Sequence, residues 1–298
     1  MVAGLDAGGT KLAVCVETMS GEPVQAAEFP AAGWEASPAH EAAAWLDHRL
    51  RLVLPPGAVV ASIGVGAQGC NTAAACTDLE QALAKRGLPA TVVNDGALLV
   101  PAAGLATGIG VIAGTGSVAI GTDESGRILR TGGWGWVLGD DGGAAAIVRE
   151  ATKAALATHD SGLPDDGLLA ALQAAFGVHS AEELTRTVND RPTAEHWAPR
   201  APAVFTAAEA GSAQAAGVIA AGAEALADLV TRLISRGAVG TTVVAAGSVI
   251  TRQPWLAQAF ARCLSKRHPA LEFRLLAQPP VTGAVVLARR QLSRHRDQ

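Results

Sequence analysis

The chain contains the same arrangement of three short strands twice, and this internal repeat limits the folds that it can adopt. The first copy occupies residues 2–29 and the second copy residues 108–130. Each copy consists of an apolar strand, a turn with Gly and Thr, a second strand, another glycine-containing turn and a third strand. Such a repeat predicts two similar half-molecules that face each other across a cleft, so that one nucleotide could be gripped from both sides.

The first turn of each copy has the composition of an anion-binding site. These turns read AGGT at residues 7–10 and GTGS at residues 114–117. Glycine allows the backbone to approach a ligand closely, and the N–H groups of the second turn, with the Thr115 and Ser117 hydroxyls, can form a concave nest. Phosphate is the ligand that this pattern indicates.

The segment after the second copy is too rich in glycine for a regular element. It reads GGWGW over residues 132–136 and GDDGG over residues 139–143, directly before an alanine-rich helix that is predicted from residue 144. Its acids have two interpretations. They could cap the helix and interact with its dipole, or Asp140 could accept hydrogen bonds from a polyhydroxylated ligand that lies against an indole.

Asp95 lies where an α/β protein would carry out catalysis. A short apolar strand over residues 90–93 ends at Asn94 and Asp95, before a predicted helix over residues 97–105. In an open α/β sheet, ligands bind beyond the carboxyl ends of the strands. Asp95 can cap the helix as well. The two candidate phosphate turns favour the catalytic interpretation.

The remaining periodicity predicts an alternation of strands and helices. Residues 160–166 and 191–202 are interpreted as surface loops. Glycine at the end of the strand over residues 242–246 would let an adenine or ribose lie against Gly247 and Ser248. Further strands are predicted over residues 59–65 and 272–275, and helices over residues 38–54, 77–86, 144–159, 168–176, 181–188, 212–235, 255–264 and 280–294.

Length and composition predict a protein of two domains that has a small molecule as its partner. The chain has 298 residues, 49% of them hydrophobic and 17% charged, and a formal net charge of −4, which gives no electrostatic footprint for nucleic acid. No apolar run reaches the roughly 18 residues that a membrane-spanning helix needs. The best candidate, residues 215–230, carries Glu224 and Asp228. No signal peptide is visible, so a cytoplasmic location without membrane partners is predicted.

The cysteines do not have the spacing of a metal site or a redox pair. Cys15, Cys70, Cys76 and Cys263 lie far apart or six residues apart, and no histidines form a ligand pair. We expect buried thiols in a reducing compartment. No transition metal held by the protein is predicted.

Three motifs together resemble those of the sugar kinase, actin and Hsp70 ATPase superfamily. They are LDAGGTK at residues 5–11, GTGS at residues 114–117 and AGS at residues 246–248. Within it, GGWGW and GDDG look like the N-acetylglucosamine kinase branch of the BadF-BadG-BcrA-BcrD ATPase family, which also contains ATPase subunits and activators of reductases and dehydratases. Neither a P-loop motif nor a dinucleotide-binding motif is present to compete with this resemblance.

The resemblance implies an α/β, two-domain, actin-like ATPase fold of ribonuclease H-like topology, with a nucleotide cleft between the domains. The first domain would comprise residues 1–106, completed by a C-terminal helix over residues 284–298. The second would comprise residues 107–283. A homodimer is common among such proteins.

The resemblance also implies which residues bind ATP and Mg²⁺. Asp6 would organise Mg²⁺ through water. The β- and γ-phosphates would be contacted by Gly8, Gly9, Thr10 and Lys11. The residues that would close on them from the other domain are Thr115, Gly116 and Ser117. The adenosine would be bordered by Gly247 and Ser248.

The implied reaction is phosphorylation of an amino sugar at its 6-hydroxyl. Asp95 would accept the hydroxyl proton while the oxygen attacks the γ-phosphorus. The residues that would hold the sugar are Asn94, Asp95, Gly133, Trp134, Gly135 and Asp140.

Two departures from the branch leave the sugar open. The branch usually carries Asn directly after the GTGS turn, where this chain has Val118, and another Asn after the third strand, where residues 30–34 contain none. N-acetylglucosamine, glucosamine or another 2-modified glucose therefore remain as substrates. Two other functions also stay open, namely an ATPase activator of a radical dehydratase or reductase and a sugar-sensing protein without catalysis.

Overall fold

A computed structural model describes residues 1–296 of the chain. It contains two compact units, of which the first comprises Met1–Gly110 with the segment that begins at Leu276, and the second comprises Val111–Leu275. The predicted boundaries at residues 106/107 and 283/284 differ from these breaks, and the last two residues of the predicted C-terminal helix lie outside the described residues. The division into two ATPase domains at those boundaries stays a prediction.

Strands and helices alternate along most of the chain. The strands are β1 (Val2–Ala7), β2 (Lys11–Glu17), β3 (Pro23–Pro30), β4 (Ser62–Ala67), β5 (Ala90–Val93), β6 (Ile109–Ala113), β7 (Ser117–Thr122), β8 (Ile128–Gly132), β9 (Thr242–Ala246) and β10 (Glu272–Leu275). The helices are α1 (Ala39–Val53), α2 (Ala73–Ala84), α3 (Leu99–Ala102), α4 (Ala144–Asp160), α5 (Leu168–Phe176), α6 (Ala181–Asp190), α7 (Ala194–Trp197), α8 (Ala201–Glu209), α9 (Ala213–Ser235), α10 (Ser248–Arg252), α11 (Pro254–Arg267) and α12 (Val281–Arg296).

The first unit is built on a sheet with the strand order β3-β2-β1-β4-β5. The first three strands pair antiparallel, whereas β1, β4 and β5 are parallel. Helix α12 packs closely on β1 and β4 because both strands carry glycine there. A Cβ at Gly4 would lie 2.7 Å from the Val281 carbonyl oxygen, and a Cβ at Gly64 would lie 1.9 Å from that of Ala284. These glycines face each other in the β1–β4 register, so the sheet leaves room for a helix backbone.

The second sheet has the order β10-β9-β6-β7-β8. Strands β7 and β8 are antiparallel and β9 and β10 are parallel. Strands β6, β7 and β8 correspond to β1, β2 and β3, and β9 and β10 correspond to β4 and β5. The internal repeat predicted from the sequence is thus confirmed as a repeat of strand order.

Two stretches of the chain differ from the prediction in their type of structure, and β4 begins at Ser62, so that the predicted strand residue Val59 is exposed. Residues 191–202, predicted as a loop, contain α7, a 3-10 turn over Ala198–Arg200 and the start of α8, and Trp197 is buried. Pro199 and Pro202 lie in the first turns of these helical segments, where a missing N–H costs no hydrogen bond. The predicted helix over residues 97–105 is instead a 3-10 turn over Asp95–Leu98 followed by the single turn α3.

Across residues 1–296, we find no helix with the length and apolar character needed to span a lipid bilayer.

Candidate functional site

Asp6 and Asp95 interact at the edge of the first sheet. Asp6 lies near the carboxyl end of β1 and pairs in register with Ala13 of β2 and Gly66 of β4. A Cβ at Gly66 would lie 3.3 Å from the Cα of Asp95, so glycine lets the segment after β5 approach. Burial raises the pKa of Asp6 to about 7; the Asp95 charge adds to this rise and Lys11 opposes it. The predicted metal-organising acid and the predicted base are therefore neighbours.

Asn94 carries out the capping role that the sequence left open for Asp95. Its side-chain oxygen accepts a hydrogen bond from the Gly96 N–H at 3.1 Å, and its amide nitrogen donates to Asn71 at 3.0 Å. Asn94 is buried. Both of these contacts are to protein atoms, so its predicted contact with a sugar stays a prediction.

The turn between β1 and β2 is exposed and narrow. The Gly8 N–H donates to the Lys11 carbonyl oxygen at 3.0 Å, which closes the turn. A Cβ at Gly9 would lie 2.7 Å from the side-chain oxygen of Gln68, so a larger residue would displace that side chain. The Lys11 ammonium pairs with Glu28 on β3. Predicted phosphate contacts Gly9, Thr10 and Lys11 are all exposed.

In the second unit, the GTGS turn is held against the start of α4. The Ala144 N–H donates to the Gly114 carbonyl oxygen at 2.8 Å and the Ala145 N–H donates to that of Thr115 at 3.2 Å. A Cβ at Gly143 would lie 2.6–2.8 Å from the Gly116 backbone. The first N–H groups of α4 are thus used to hold the turn, and Thr115 is exposed on it.

Gly247 and Ser248 lie beside the same turn. Gly247 has a φ of 113°, and a Cβ there would lie 2.4 Å from the Ala113 carbonyl oxygen. A Cβ at Gly114 would lie 3.7 Å from the Ser248 nitrogen. Only glycine fits at position 247, for reasons of both backbone conformation and space. The predicted adenosine and phosphate segments of the second unit are contiguous.

Asp140 packs against the GTGS turn in an unusual conformation. Its φ of 57° lies in the left-handed region, and its Oδ2 occupies the space 2.1 Å from a Cβ at Gly116. Its Oδ1 is buried, with no hydrogen-bond partner among the described residues. Burial raises the pKa of Asp140, although backbone N–H groups of Gly135 and Ser117 lower it. The carboxylate therefore has one oxygen without a protein donor, and the residue lines the cavity beside Trp134.

Trp134 extends into solvent at the mouth of a small cavity. The indole is 71% exposed and lies 5.5 Å from the Arg130 guanidinium. The cavity has a volume of about 210 Å³. Its lining includes Ser117, Trp134, Leu138, Asp140, Asp228 and Arg232. Gly133 and Gly135, the other predicted sugar contacts of this loop, both have left-handed backbones.

Sequence reasoning missed several residues that shape these sites. Gln68 and Asn71 follow β4, so the strand-end rule that identified Asp95 could have found them. The Ser117 hydroxyl, predicted to face phosphate, donates instead to the Asp141 carbonyl oxygen at 2.8 Å. Arg149 on α4 contacts the loop of residues 132–143. No local pattern marks that contact.

Two repeated mixed sheets, each with a glycine-rich turn after its first strand, define the class: an α/β protein with the two-domain fold of sugar kinases and actin-like ATPases. The chain belongs to the BadF/BadG/BcrA/BcrD ATPase family, whose sequence model matches residues 3–288.

Two curated relatives are kinases by name. The N-acetylmuramic acid/N-acetylglucosamine kinase of Clostridium acetobutylicum is 28% identical over 204 residues, which is 66% of this chain and 66% of the relative. The N-acetyl-D-glucosamine kinase of Dictyostelium discoideum is 27% identical over 188 residues, 61% of this chain and 59% of the relative. The matched part thus spans less than two thirds of the length of each.

Solved structures share the fold over nearly the whole chain. A Chromobacterium violaceum protein, described as a candidate N-acetylglucosamine kinase, has a TM-score of 0.73 at 22% identity and covers 96% of this chain and 98% of its own. A ROK family glucokinase from Streptomyces griseus, in complex with glucose and AMPPNP, has a TM-score of 0.63 at 16% identity, with coverage of 97% and 99%. At these identities the likeness concerns the fold.

Proposed function

We propose that this protein is an ATP-dependent kinase that transfers the γ-phosphoryl group of ATP to the 6-hydroxyl of an amino sugar. The observation that carries the proposal is the pair of neighbouring acids at the edge of the first sheet, Asp6 and Asp95. The kinase names of the two curated relatives support it. The cytoplasmic location and the homodimer remain predictions.

Asp95 is the proposed general base. It would accept the proton of the 6-hydroxyl while that oxygen forms a bond to the γ-phosphorus and the bond to the β-phosphate oxygen breaks, which releases ADP. Phosphoryl transfer needs positioning and charge neutralisation more than covalent participation by the protein. A positioned base contributes about 10²–10⁴-fold to the rate of such a step.

Asp6 is the proposed holder of Mg²⁺, through water. The donor set fits a divalent cation, because carboxylate oxygens are its preferred ligands and the raised pKa of Asp6 reflects negative charge that is buried beside Asp95. Lys11, whose charge lowers this pKa, is paired with Glu28. When bound, the ion would neutralise charge on the phosphate oxygens.

Each unit has a glycine turn with proposed ATP contacts. In the first unit the proposed phosphate contacts are Gly8, Gly9, Thr10 and Lys11. In the second they are Thr115, Gly116 and Ser117, the last through its backbone because its hydroxyl is bound to Asp141. Gly247 and Ser248 would border the adenosine, a role supported by their contact with the phosphate turn.

The sugar would be held by Asn94, Gly133, Trp134, Gly135 and Asp140. Asp140 lines the cavity beside Trp134, so its carboxylate can accept from a sugar hydroxyl, and Trp134 offers an exposed apolar surface for a pyranose ring. The candidates are N-acetylglucosamine and glucosamine. Val118 stands where related kinases carry Asn, which makes glucosamine a competitor of the N-acetylated sugar.

ADP release tests the proposal. The assay supplies Mg-ATP with glucosamine, N-acetylglucosamine, N-acetylmuramic acid, glucose or no sugar. We expect one amino sugar to stimulate ADP formation in step with formation of a sugar 6-phosphate. Hydrolysis that no sugar stimulates would contradict the kinase and favour an ATPase activator, and sugar binding without turnover would favour a sensor.

A further inference from the structure

Arg149 contacts the loop of residues 132–143 at three points, although it belongs to the following helix. Its guanidinium donates to the Trp136 carbonyl oxygen, to the Gly139 carbonyl oxygen at 3.3 Å and to the Asp141 carboxylate at 2.7 Å. The side chain is only 19% exposed. A planar guanidinium has N–H donors in fixed directions, so a single side chain can hold several acceptors in one arrangement.

The three contacts of Arg149 are made to residues adjacent in sequence to Gly135 and Asp140. Both of these loop residues are proposed to bind the sugar. Gly135 directly precedes Trp136, and Asp140 lies between Gly139 and Asp141. The Gly139 N–H also donates to the Gly135 carbonyl oxygen at 2.8 Å, which closes the turn between them. The guanidinium therefore holds the backbone on both sides of Asp140 and immediately after Gly135.

The backbone of Asp140 needs such support. A residue with a side chain rarely adopts a φ of 57°, and such conformations persist where the surroundings hold them. Both neighbours of Asp140 are bound to Arg149, and the Asp141 carbonyl oxygen is bound to Ser117 as well. The direction of the Asp140 carboxylate thus depends on a side chain that lies nine residues further along the chain.

We infer that Arg149 is a positioning residue for sugar recognition, which acts through Gly135 and Asp140. This inference rests on the proposed kinase function and deepens it, because it assigns to one α4 side chain the geometry of the sugar loop. The GTGS turn itself is held mainly by the backbone of α4 at Ala144 and Ala145. Arg149 is linked to that turn only indirectly, through Asp141, whose carbonyl oxygen accepts from Ser117, so the larger effect is expected on sugar binding.

The test compares Arg149→Ala and Arg149→Lys with a matched control, Lys153→Ala. Lys153 lies one turn further along α4 and pairs with Glu150, as Arg149 does, but within residues 1–293 its side chain makes no other hydrogen bond or ion pair. We expect Arg149→Ala to raise the KM for sugar about tenfold to a hundredfold and to change the KM for ATP less than about twofold. Arg149→Lys should fall between, since one ammonium cannot hold three acceptors, and Lys153→Ala should match the wild type.

Two further readouts distinguish positioning from a general folding defect. Hydrogen–deuterium exchange of peptides that cover residues 132–143 should be faster in Arg149→Ala and unchanged in Lys153→Ala. Added guanidinium should restore part of the sugar affinity of Arg149→Ala and have no such effect on the control.

The outcomes separate this inference from the kinase proposal. An active Arg149→Ala enzyme with the wild-type KM for sugar, or with equal increases in both KM values, overturns the inference alone. A wild-type protein that no sugar stimulates overturns the kinase proposal, and the positioning role for sugar falls with it. Unchanged exchange of the loop in Arg149→Ala overturns the inference whatever the activity.

Discussion

Asp6 and Asp140 are both partly buried acids beside a glycine-rich turn, but different kinds of structure determine their positions. Asp6 belongs to a strand and is paired in register with the strands on both of its sides. Asp140 belongs to a loop, and its position depends on Gly116, which leaves space for its carboxylate, and on Arg149, which holds its neighbours. A backbone ladder tolerates changes in nearby side chains, whereas the loop depends on a few side chains distant in sequence.

The electrostatic surroundings of the two acids differ as well. Burial raises the pKa of both carboxyls. At Asp140, N–H groups of Gly135 and Ser117 act in the opposite direction, with a contribution from Arg130. At Asp6, the charge of Asp95 raises the pKa further and only Lys11 is recorded as lowering it. The two acids at the sheet edge, Asp6 and Asp95, therefore lack enough positive charge nearby to balance them, which is a suitable environment for a bound cation. The loop acid, Asp140, is instead suited to hydrogen bonding with a neutral ligand.

The largest effect is expected from Asp95→Asn at the sheet edge. This change keeps the shape of the side chain and removes the base, so kcat should fall by about 10²–10⁴-fold. Affinity for ATP should be retained. Steady-state kinetics and calorimetric titration with nucleotide measure the two quantities.

Asp78→Asn is a suitable control for that variant, because Asp78 is an exposed acid on α2 of the same unit. It should leave kcat unchanged. Turnover by Asp95→Asn at the wild-type rate would refute the assignment of the base, and with it the view that the sheet edge carries the chemistry.

The sequence was most informative where position follows from regular structure. Strands β5, β9 and β10 and helix α5 run over the predicted residues, and the strand-end rule located Asp95 at the sheet edge, where it lies beside Asp6. The start of α8 was predicted as loop, and Pro202 is compatible with a helix there only because it lies in the first turn. The Arg149 contacts and the space beside Gly116 join residues through tertiary packing, which no periodicity or spacing in the sequence records.

The pH dependence of stability should sharpen the contrast between the acids. The pKa of Asp6 is about 7 in the folded protein against an ordinary value of 3.8, so the folded state binds more protons between these values. Its contribution is fully present below about pH 4 and is lost as the pH rises through 7. A pKa difference of this size corresponds to a loss of about 4 kcal/mol.

Asp6→Asn removes this contribution. As the pH rises from 4.5 to 8, the free energy of unfolding should therefore fall more in the wild type than in the variant. Urea denaturation with EDTA and without nucleotide measures it. A difference that stays constant with pH would show that Asp6 titrates normally and that the acids at the sheet edge do not lack balancing positive charge.

The smallest of these effects is expected from Gly116→Ala in the loop region. The added methyl group would lie 2.1 Å from Oδ2 of Asp140, and the carboxylate is the group that can move. We expect the KM for sugar to rise about tenfold with kcat less affected, because an interaction made equally in the ground state and the transition state is lost. The KM for ATP should rise less, although the Gly116 backbone is also a proposed phosphate contact, because the added methyl group is directed at Asp140. Gly217→Ala is the matched control: Gly217 lies on α9 of the same unit, with nothing within 4 Å of an added Cβ. Alanine there should leave the KM unchanged and favour the helix by about 1 kcal/mol. If Gly116→Ala lowered kcat at saturating ATP as strongly as Asp95→Asn does, while the KM for ATP kept its wild-type value, the loop acid would take part in the chemical step. The proposed division between a catalytic sheet edge and a sugar-binding loop would then have to be abandoned.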